Sequence, residues 1–356
     1  MANFMRVAAC HVSPVFLNAR ETTHKAISLI KEAASKKADL VVFPETYLSA
    51  FPLWSSVRAP TENHSLFQRM VQESVYADGE EIEAIREAAR STGTIVSIGF
   101  SERSRHSNGC LYNSNITIGT GGEVLVHHRK LVPTFFEKLT WSPGDGHGLR
   151  IADTQLGRIG MLICGENTNA LARYSLIAQA EQVHISTWPA IWPTRTSQKP
   201  TEDHGKQQSS HKSMTQGVNY DNLAANRTRA AAHCFEAKCF GVACSGYLGE
   251  DAIETIVDGA SQPDIVANTV RGMPRAATFF LNPTGASLSS FTFNDDAAEK
   301  AYVSALQDQE GILYADMNLD DCIEGKQYHD VVGGYQRLDV FDLKVDRTRK
   351  EPVRFT

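Results

Sequence analysis

The chain has 356 residues, 42% of them hydrophobic and 21% charged, which is enough to bury a large core and excludes disordered, collagen-like and disulfide-scaffold classes. Its 35 basic and 41 acidic residues leave a formal charge of −6, and no Lys/Arg run stands out from that acidic background, so nucleic acid is not expected as a partner. No apolar run approaches the roughly 18 to 20 residues that cross a bilayer, and the amino end Met1-Ala-Asn-Phe-Met-Arg6 lacks an export pattern, so no membrane partner and a cytoplasmic location are expected.

Short β-branched runs alternate with longer helical patterns, the mark of an α/β layer protein. In chain order the spacing predicts a strand at 5–12, a helix at 18–37 with Ile27, Ile30 and Ala33 at helical spacing, and a strand at 40–43. A helix at 79–91, stopped by Gly93, leads to a strand at 94–100. Runs 111–118 and 123–126 flank Gly119-Thr-Gly-Gly122 and form a hairpin. A strand at 158–163 enters a helix that begins after Asn167, and strands at 183–187, 240–244 and 276–281 follow. The polar stretch 195–217 is a long surface loop. Residues 1–336 are expected to form one domain, with 337–356 an extended tail at a subunit interface. Seven cysteines without a CxxC pair argue against disulfides and against structural zinc, and the three sequons (Asn63, Asn115, Asn226) carry no glycan without export.

Four residues stand out chemically. Glu45 follows the strand 40–43 and Pro44, so it emerges at a strand's carboxyl end, where a desolvated carboxylate is a candidate general base; the alternative is an ordinary loop acid. Lys130 follows the second hairpin strand and would supply fixed positive charge to an oxyanion or a thiolate, unless it is a solvated edge lysine. Glu137 lies in the aromatic setting Thr134-Phe-Phe-Glu137, which would bury it against Lys130. Cys164 ends an apolar strand in Gly160-Met-Leu-Ile-Cys164-Gly165-Glu-Asn167, a sharp strand-to-helix turn resembling a nucleophile elbow, with the thiol projecting toward solvent and a helix amino end favouring its thiolate. The other cysteines read as core thiols. No HExxH, GxxxxGK[ST] or GxGxxG pattern is present, so neither a metal nor a nucleotide cofactor is expected.

Taken together, Asp39-Leu-Val-Val-Phe-Pro-Glu45, His128-Arg-Lys-Leu-Val-Pro-Thr134, Trp141-Ser-Pro-Gly-Asp-Gly146 and Gly157-Arg-Ile-Gly-Met-Leu-Ile-Cys-Gly-Glu166 resemble the carbon-nitrogen hydrolase superfamily over nearly the whole chain. Leu171-Ala-Arg-Tyr174 and Gln179-Ala-Glu-Gln-Val-His-Ile-Ser186 point to its nitrilase branch. The resemblance implies a single-domain α/β fold, an αββα sandwich that pairs face to face into four-layer dimers and larger spirals. It implies Cys164 as nucleophile, Glu45 as general base, Lys130 as stabiliser of the tetrahedral species and Glu137 as a second acid beside the lysine, with no cofactor. The implied reaction is hydrolysis of an organic nitrile through a thioimidate and a thioester; an amidase, a carbamoylase or a hydratase would use the same residues, and a silent scaffold is the reading from another class. Two departures are Gly165, where many relatives carry a bulky aromatic, and Val331-Val-Gly-Gly-Tyr335, which lacks an expected histidine. Tyr47, Trp54, Trp141, Trp188 and Trp192 lie close in sequence to these residues or to strand ends facing the same mouth, and with Gly165 they are the expected substrate pocket, ordinary core packing being the alternative for each.

Overall fold

The apolar runs become two stacked sheets in the computed structural model, which describes residues 4–197, 219–294 and 299–353. The first part of the chain supplies β1 (Phe4–His11), β2 (Leu40–Val42), β3 (Ile95–Arg103), β4 (Leu111–Ile118) and β5 (Val124–Arg129). The middle supplies β6 (Ala152–Thr154), β7 (Gly157–Ile163), β8 (Val183–Trp188), β9 (Phe240–Ser245) and β10 (Phe279–Leu281). Strands β11 (Phe291–Phe293), β12 (Lys300–Tyr302) and β13 (Gly311–Asn318) return to the first sheet, whose order is β12-β11-β13-β1-β2-β3-β4-β5; the second runs β10-β9-β8-β7-β6.

The layering follows from side-chain alternation. Along β1, Met5, Val7 and Ala9 join Leu40 and Val42 in one buried cluster with Ile159, Met161, Ile163, Val183, Ile185 and Val242, so this cluster is the seam between the sheets. Ala8, Cys10, Val41, Val96 and Ile98 face the other way, onto Ala26, Ile30 and Ala33 of the helix Ala19–Ser35 and Ile82, Ile85 and Ala89 of the helix Glu80–Thr92. On the outer face of the second sheet, Ala243, Phe279 and Leu281 pack on Ala230, Cys234 and Ala237 of the helix Asn222–Ala237. The result is the expected α/β sandwich in αββα order. Parallel pairings β1–β2–β3 and β7–β8–β9 bring the carboxyl ends of β2 and β7 to one edge of the seam.

Two sequence readings shift. The strand expected at 276–281 is ladder-paired only over Phe279–Leu281, because the Ala276 N–H bonds the Ala190 carbonyl and Thr278 pairs with Leu306. The predicted elements do not include β13, which pairs antiparallel with all of β1 and holds Leu313, Ala315 and Met317 wholly inaccessible. Residues 198–217 of the polar stretch lie outside the described residues. Beyond residue 337, Leu338 (79% exposed) and Phe341 (72%) face outward. Val345 then packs beside Leu149, Leu162 and Leu176, and Arg349 donates to the His127 carbonyl at 3.1 Å.

Candidate active site

Glu45 is carried by a tightly constrained segment. Thr46, Ser49 and Ala50 take positive φ (46°, 84° and 87°), and the backbone crosses directly over β3 at Gly99, where a Cβ would lie 2.5 Å from both the Pro44 carbonyl and the Thr46 nitrogen. Only a residue without a side chain permits that crossing. Glu45 is thereby buried, and its Oε1 accepts from Asn113 Nδ2 of β4 at 2.7 Å and from Lys130 Nζ at 2.9 Å. Lys130 directly follows β5, and its own backbone N–H donates to the Asn113 carbonyl at 2.8 Å, so one asparagine sets the position of both. Glu137 lies in the short 3₁₀ turn Phe135–Leu139, where its carboxylate accepts from the Thr134 N–H at 3.0 Å and from Lys130 Nζ at 2.8 and 2.7 Å.

Cys164 stands at the end of β7 with φ of 50°, the left-handed backbone that an elbow requires. A 3₁₀ turn Cys164–Thr168 intervenes before the helix Ala170–Ile177, whose cap is Asn169. Asn167 is turned inward: its Nδ2 donates to the Leu162 and Cys164 carbonyls at 3.2 and 3.0 Å. Its Oδ1 meets His184 Nε2 and Ser186 Oγ, both at 2.9 Å. His184 in turn bonds Glu181, which also bonds His233, so a buried polar chain supports the elbow from the second sheet. Glu166 bridges the other side, accepting from the Ile163 N–H (2.9 Å), the Leu131 N–H (2.7 Å) and His128 Nε2 (2.9 Å).

Glu45, Glu137 and Cys164 bring carboxylate oxygens and sulfur within 4.8 Å of one another, with Lys130 Nζ hydrogen-bonded to both acids. The four residues nominated from sequence therefore meet in one buried cluster. One expectation changes: the thiol does not project into solvent, since Cys164 is only 7% exposed. Burial, reinforced by Glu45, pushes its pKa well above the ordinary thiol value against the opposing pull of Lys130. The direction of that shift favours the protonated thiol. Burial works against the Lys130 ammonium too, but the acidic groups Cys164, Glu137 and Glu45 around it hold its pKa well above normal. With two carboxylates around one ammonium the site carries one surplus negative charge, and burial together with Glu45 raises Glu137 to about 7.

A pocket opens at the sulfur, lined by Thr134, Gly165, Trp188, Pro189, Trp192, Tyr220, Asn222, Asn226 and Arg229. A second hollow reaches Glu45 and Tyr47 from the other side and shares Pro189. Of the expected pocket residues, Gly165, Trp188 and Trp192 line the first and Tyr47 the second. Trp54 and Trp141 line neither: Trp54 packs edge-on against Phe16, and Trp141 packs on Phe51 while donating to Ser101 Oγ at 3.1 Å. Their nearness in sequence to Glu45 and Glu137 reflects shared loops, not a shared surface. At Gly165 the space beside the backbone is held by Thr134, whose Oγ1 would lie 2.7 Å from an added Cβ. Sequence reasoning passed over Asn113, Thr134, Glu166, Tyr220 and Arg229. Asn113 gave no isolated signal, since it shares its face of β4 with Leu111, Asn115 and Thr117.

Among the described residues two clusters have donor atoms close enough to share a cation, Glu45–Glu137–Cys164 and Glu181–His233–Cys239. In the first the Lys130 ammonium is already the counter-charge of both acids. In the second both Glu181 oxygens are taken by His184 and His233 at 2.7 Å.

The family model for carbon-nitrogen hydrolases matches residues 6–327. An arylacetonitrilase of Hypocrea virens (strain Gv29-8 / FGSC 10586) is 31% identical over 98% of this chain and 94% of its own length. A nitrilase of Penicillium rubens (strain ATCC 28089 / DSM 1075 / NRRL 1951 / Wisconsin 54-1255) is 30% identical over 99% and 96%. Among solved structures, the carbon-nitrogen hydrolase from Helicobacter pylori G27 superposes with a TM-score of 0.65 over 96% of this chain and 97% of that one, at 17% identity, a likeness of fold. With a family match across nine-tenths of its length and relatives aligned nearly end to end, this chain belongs to the carbon-nitrogen hydrolase family and is a hydrolase of that kind.

Proposed function

We propose that the protein is a nitrilase, converting an organic nitrile and two waters into a carboxylic acid and ammonia with Cys164 as nucleophile. The observation that carries this reading is the buried convergence of a thiol, two carboxylates and one ammonium at a strained strand end. Full-length similarity to proteins named as nitrilases favours the nitrile over the amide as substrate.

In this mechanism Glu45 takes the thiol proton as the sulfur adds to the nitrile carbon, and the nitrogen receives that proton to give a thioimidate. The other oxygen of Glu45, Oε2, has no hydrogen-bond partner among the described residues, which suits proton transfer. Glu45 next deprotonates a water that attacks the thioimidate carbon, and it passes that proton to the nitrogen, which takes the adduct's hydroxyl proton, through Glu45, as it leaves. The tetrahedral adduct collapses with loss of ammonia to a thioester, and a second water, activated in the same way, releases the acid and regenerates the thiol. Lys130, fixed by Glu137, offers its charge to each tetrahedral stage; loss of one such electrostatic contact typically costs about 100-fold or more in rate. No other group is needed to balance the steps. Assembly into a homo-oligomer through the face bearing Leu338 and Phe341 is part of the same reading.

The test is incubation of the purified protein with aliphatic, aryl and arylacetonitriles and their amides, measuring ammonia, acid and amide. Stoichiometric ammonia and acid from a nitrile is the expected outcome. Turnover of amides alone would replace the reading with an amidase, and accumulation of amide from nitriles with a hydratase.

A further inference from the structure

The pocket at Cys164 has one wall that the nitrile chemistry does not use. Asn222, Asn226 and Arg229 follow one another at four- and three-residue spacing on the helix Asn222–Ala237, so all three face the same way, and all three line the pocket. Asn222 Nδ2 donates to the Pro274 carbonyl at 2.7 Å, fixing the start of the helix. Arg229 Nη1 donates to Asn226 Oδ1 at 3.2 Å, and its guanidinium lies over the rings of Trp188 and Tyr220 with centroid distances of 5.4 and 5.9 Å. Among the described residues no carboxylate comes within ion-pair distance of it, whereas Arg173, which pairs with this same helix, has Glu236 at 2.9 Å. Lys130 is different in kind: it is enclosed by two acids and has no net charge to offer a substrate's far end. Among the described residues Arg229 is thus the pocket's cation without an acidic partner. Its field reaches the nucleophile, where it acts to lower the Cys164 pKa.

A half-buried guanidinium held over two aromatic faces, with most of its fork of donors directed at no acid, is built to receive a planar anion. We infer that Arg229, with Tyr220 and Asn226 around it, selects nitriles that carry a carboxylate or similar anion at the end remote from the cyano group. This rests on the nitrilase reading and narrows it to a substrate class. Trp188 and Trp192 then contact the apolar body of the substrate, and the anion anchors the far end so that the cyano carbon meets the sulfur. The acid formed at Cys164 during turnover is common to every nitrile, so discrimination between substrates isolates the remote anion.

The experiment compares ω-cyanocarboxylates of graded chain length, each paired with the neutral nitrile in which an isopropyl group replaces the carboxylate. For at least one length the wild-type protein should favour the anion in kcat/KM, and Arg229→Gln should reduce that preference by about 10- to 100-fold, the range of one charge-assisted hydrogen bond. Arg229→Lys should restore part of it. If Arg229→Gln lowers both members of each pair equally, or if the wild type prefers the neutral member at every length, the inference fails and Arg229 is only packing for Trp188. Alkylation of Cys164 separates this from failure of the nitrilase reading. Even if no nitrile is turned over, iodoacetate should gain on iodoacetamide at Cys164 relative to free cysteine, and Arg229→Gln should abolish that gain; an unchanged ratio overturns the inference independently of turnover.

Discussion

Replacing Glu137 by glutamine changes one oxygen to NH₂ and leaves the shape of the site intact, so it isolates the charge that holds Lys130. The lysine ammonium now makes two contacts to the Glu137 carboxylate, at 2.8 and 2.7 Å, and one to Glu45 at 2.9 Å. In Glu137→Gln one of the two becomes an unfavourable approach of two donors, removing about 1.5–3 kcal/mol of charge-assisted bonding. The ammonium shifts its weight to Glu45 and makes it a weaker base, so kcat should fall about 10- to 100-fold while KM changes little. The pH dependence supplies a second readout. Because Glu137 is raised to about 7 from the ordinary 4.5, the folded state binds the proton more tightly than the unfolded chain does. Its stability contribution is full below about 4.5 and is lost as pH rises through about 7, a difference on the order of 3 kcal/mol between wild type and Glu137→Gln. Activity requires the ionised acid, so the wild-type rate should fall as pH drops below about 7, and that limb should vanish in the glutamine variant. Steady-state ammonia release and denaturant titrations across this window measure both. A kcat within about threefold of wild type with an unmoved acidic limb would refute the role assigned to Glu137.

The support behind the elbow is tested by Asn167→Ala, which strips donors from the Leu162 and Cys164 carbonyls and an acceptor from His184 and Ser186; it should destabilise the fold by about 1–3 kcal/mol in urea and lower kcat more than it raises KM. Gly165→Trp must displace Thr134, which lies 2.7 Å from the added Cβ, and should lower kcat/KM more for bulky nitriles than for small ones; equal losses across a size series would remove this position from the acyl pocket. Deleting residues 338–356 removes the outward Leu338 and Phe341 and should shift the mass seen by light scattering to smaller species, an unchanged mass making the tail a local flap.

The parts of the site legible in the sequence are those fixed by local pattern. Glu45 and Cys164 each end a short apolar strand with parallel neighbours, and Lys130 follows the second strand of a hairpin, whose antiparallel pairing through β4 returns β5 to the direction of β3. Burial of Glu137 in its aromatic turn was likewise a local signal. What stayed hidden depends on contacts between segments far apart in sequence. Asn113 holds Glu45 across 68 residues, and Arg229 reaches the pocket from a helix 65 positions after the cysteine, with a polar pattern no different from an exposed helix face. Trp54 and Trp141 show the converse, since proximity in sequence to a site residue carried no information about which way the ring turned. Strand β13 escaped notice because Ile312–Ala315 is buried without a break, so this stretch lacks the alternation that marks a half-exposed strand.

The central claim is that the Cys164 sulfur performs the attack. Ammonia release from the best nitrile, measured on Cys164→Ala beside the wild-type protein at matched secondary-structure content, tests it most directly. The change removes a single sulfur from a small buried side chain, so the fold should persist while release falls to the background of a no-enzyme control. Release within a few fold of wild type would contradict the account, because no other group in the cluster of Glu45, Lys130 and Glu137 is placed to form the covalent intermediate.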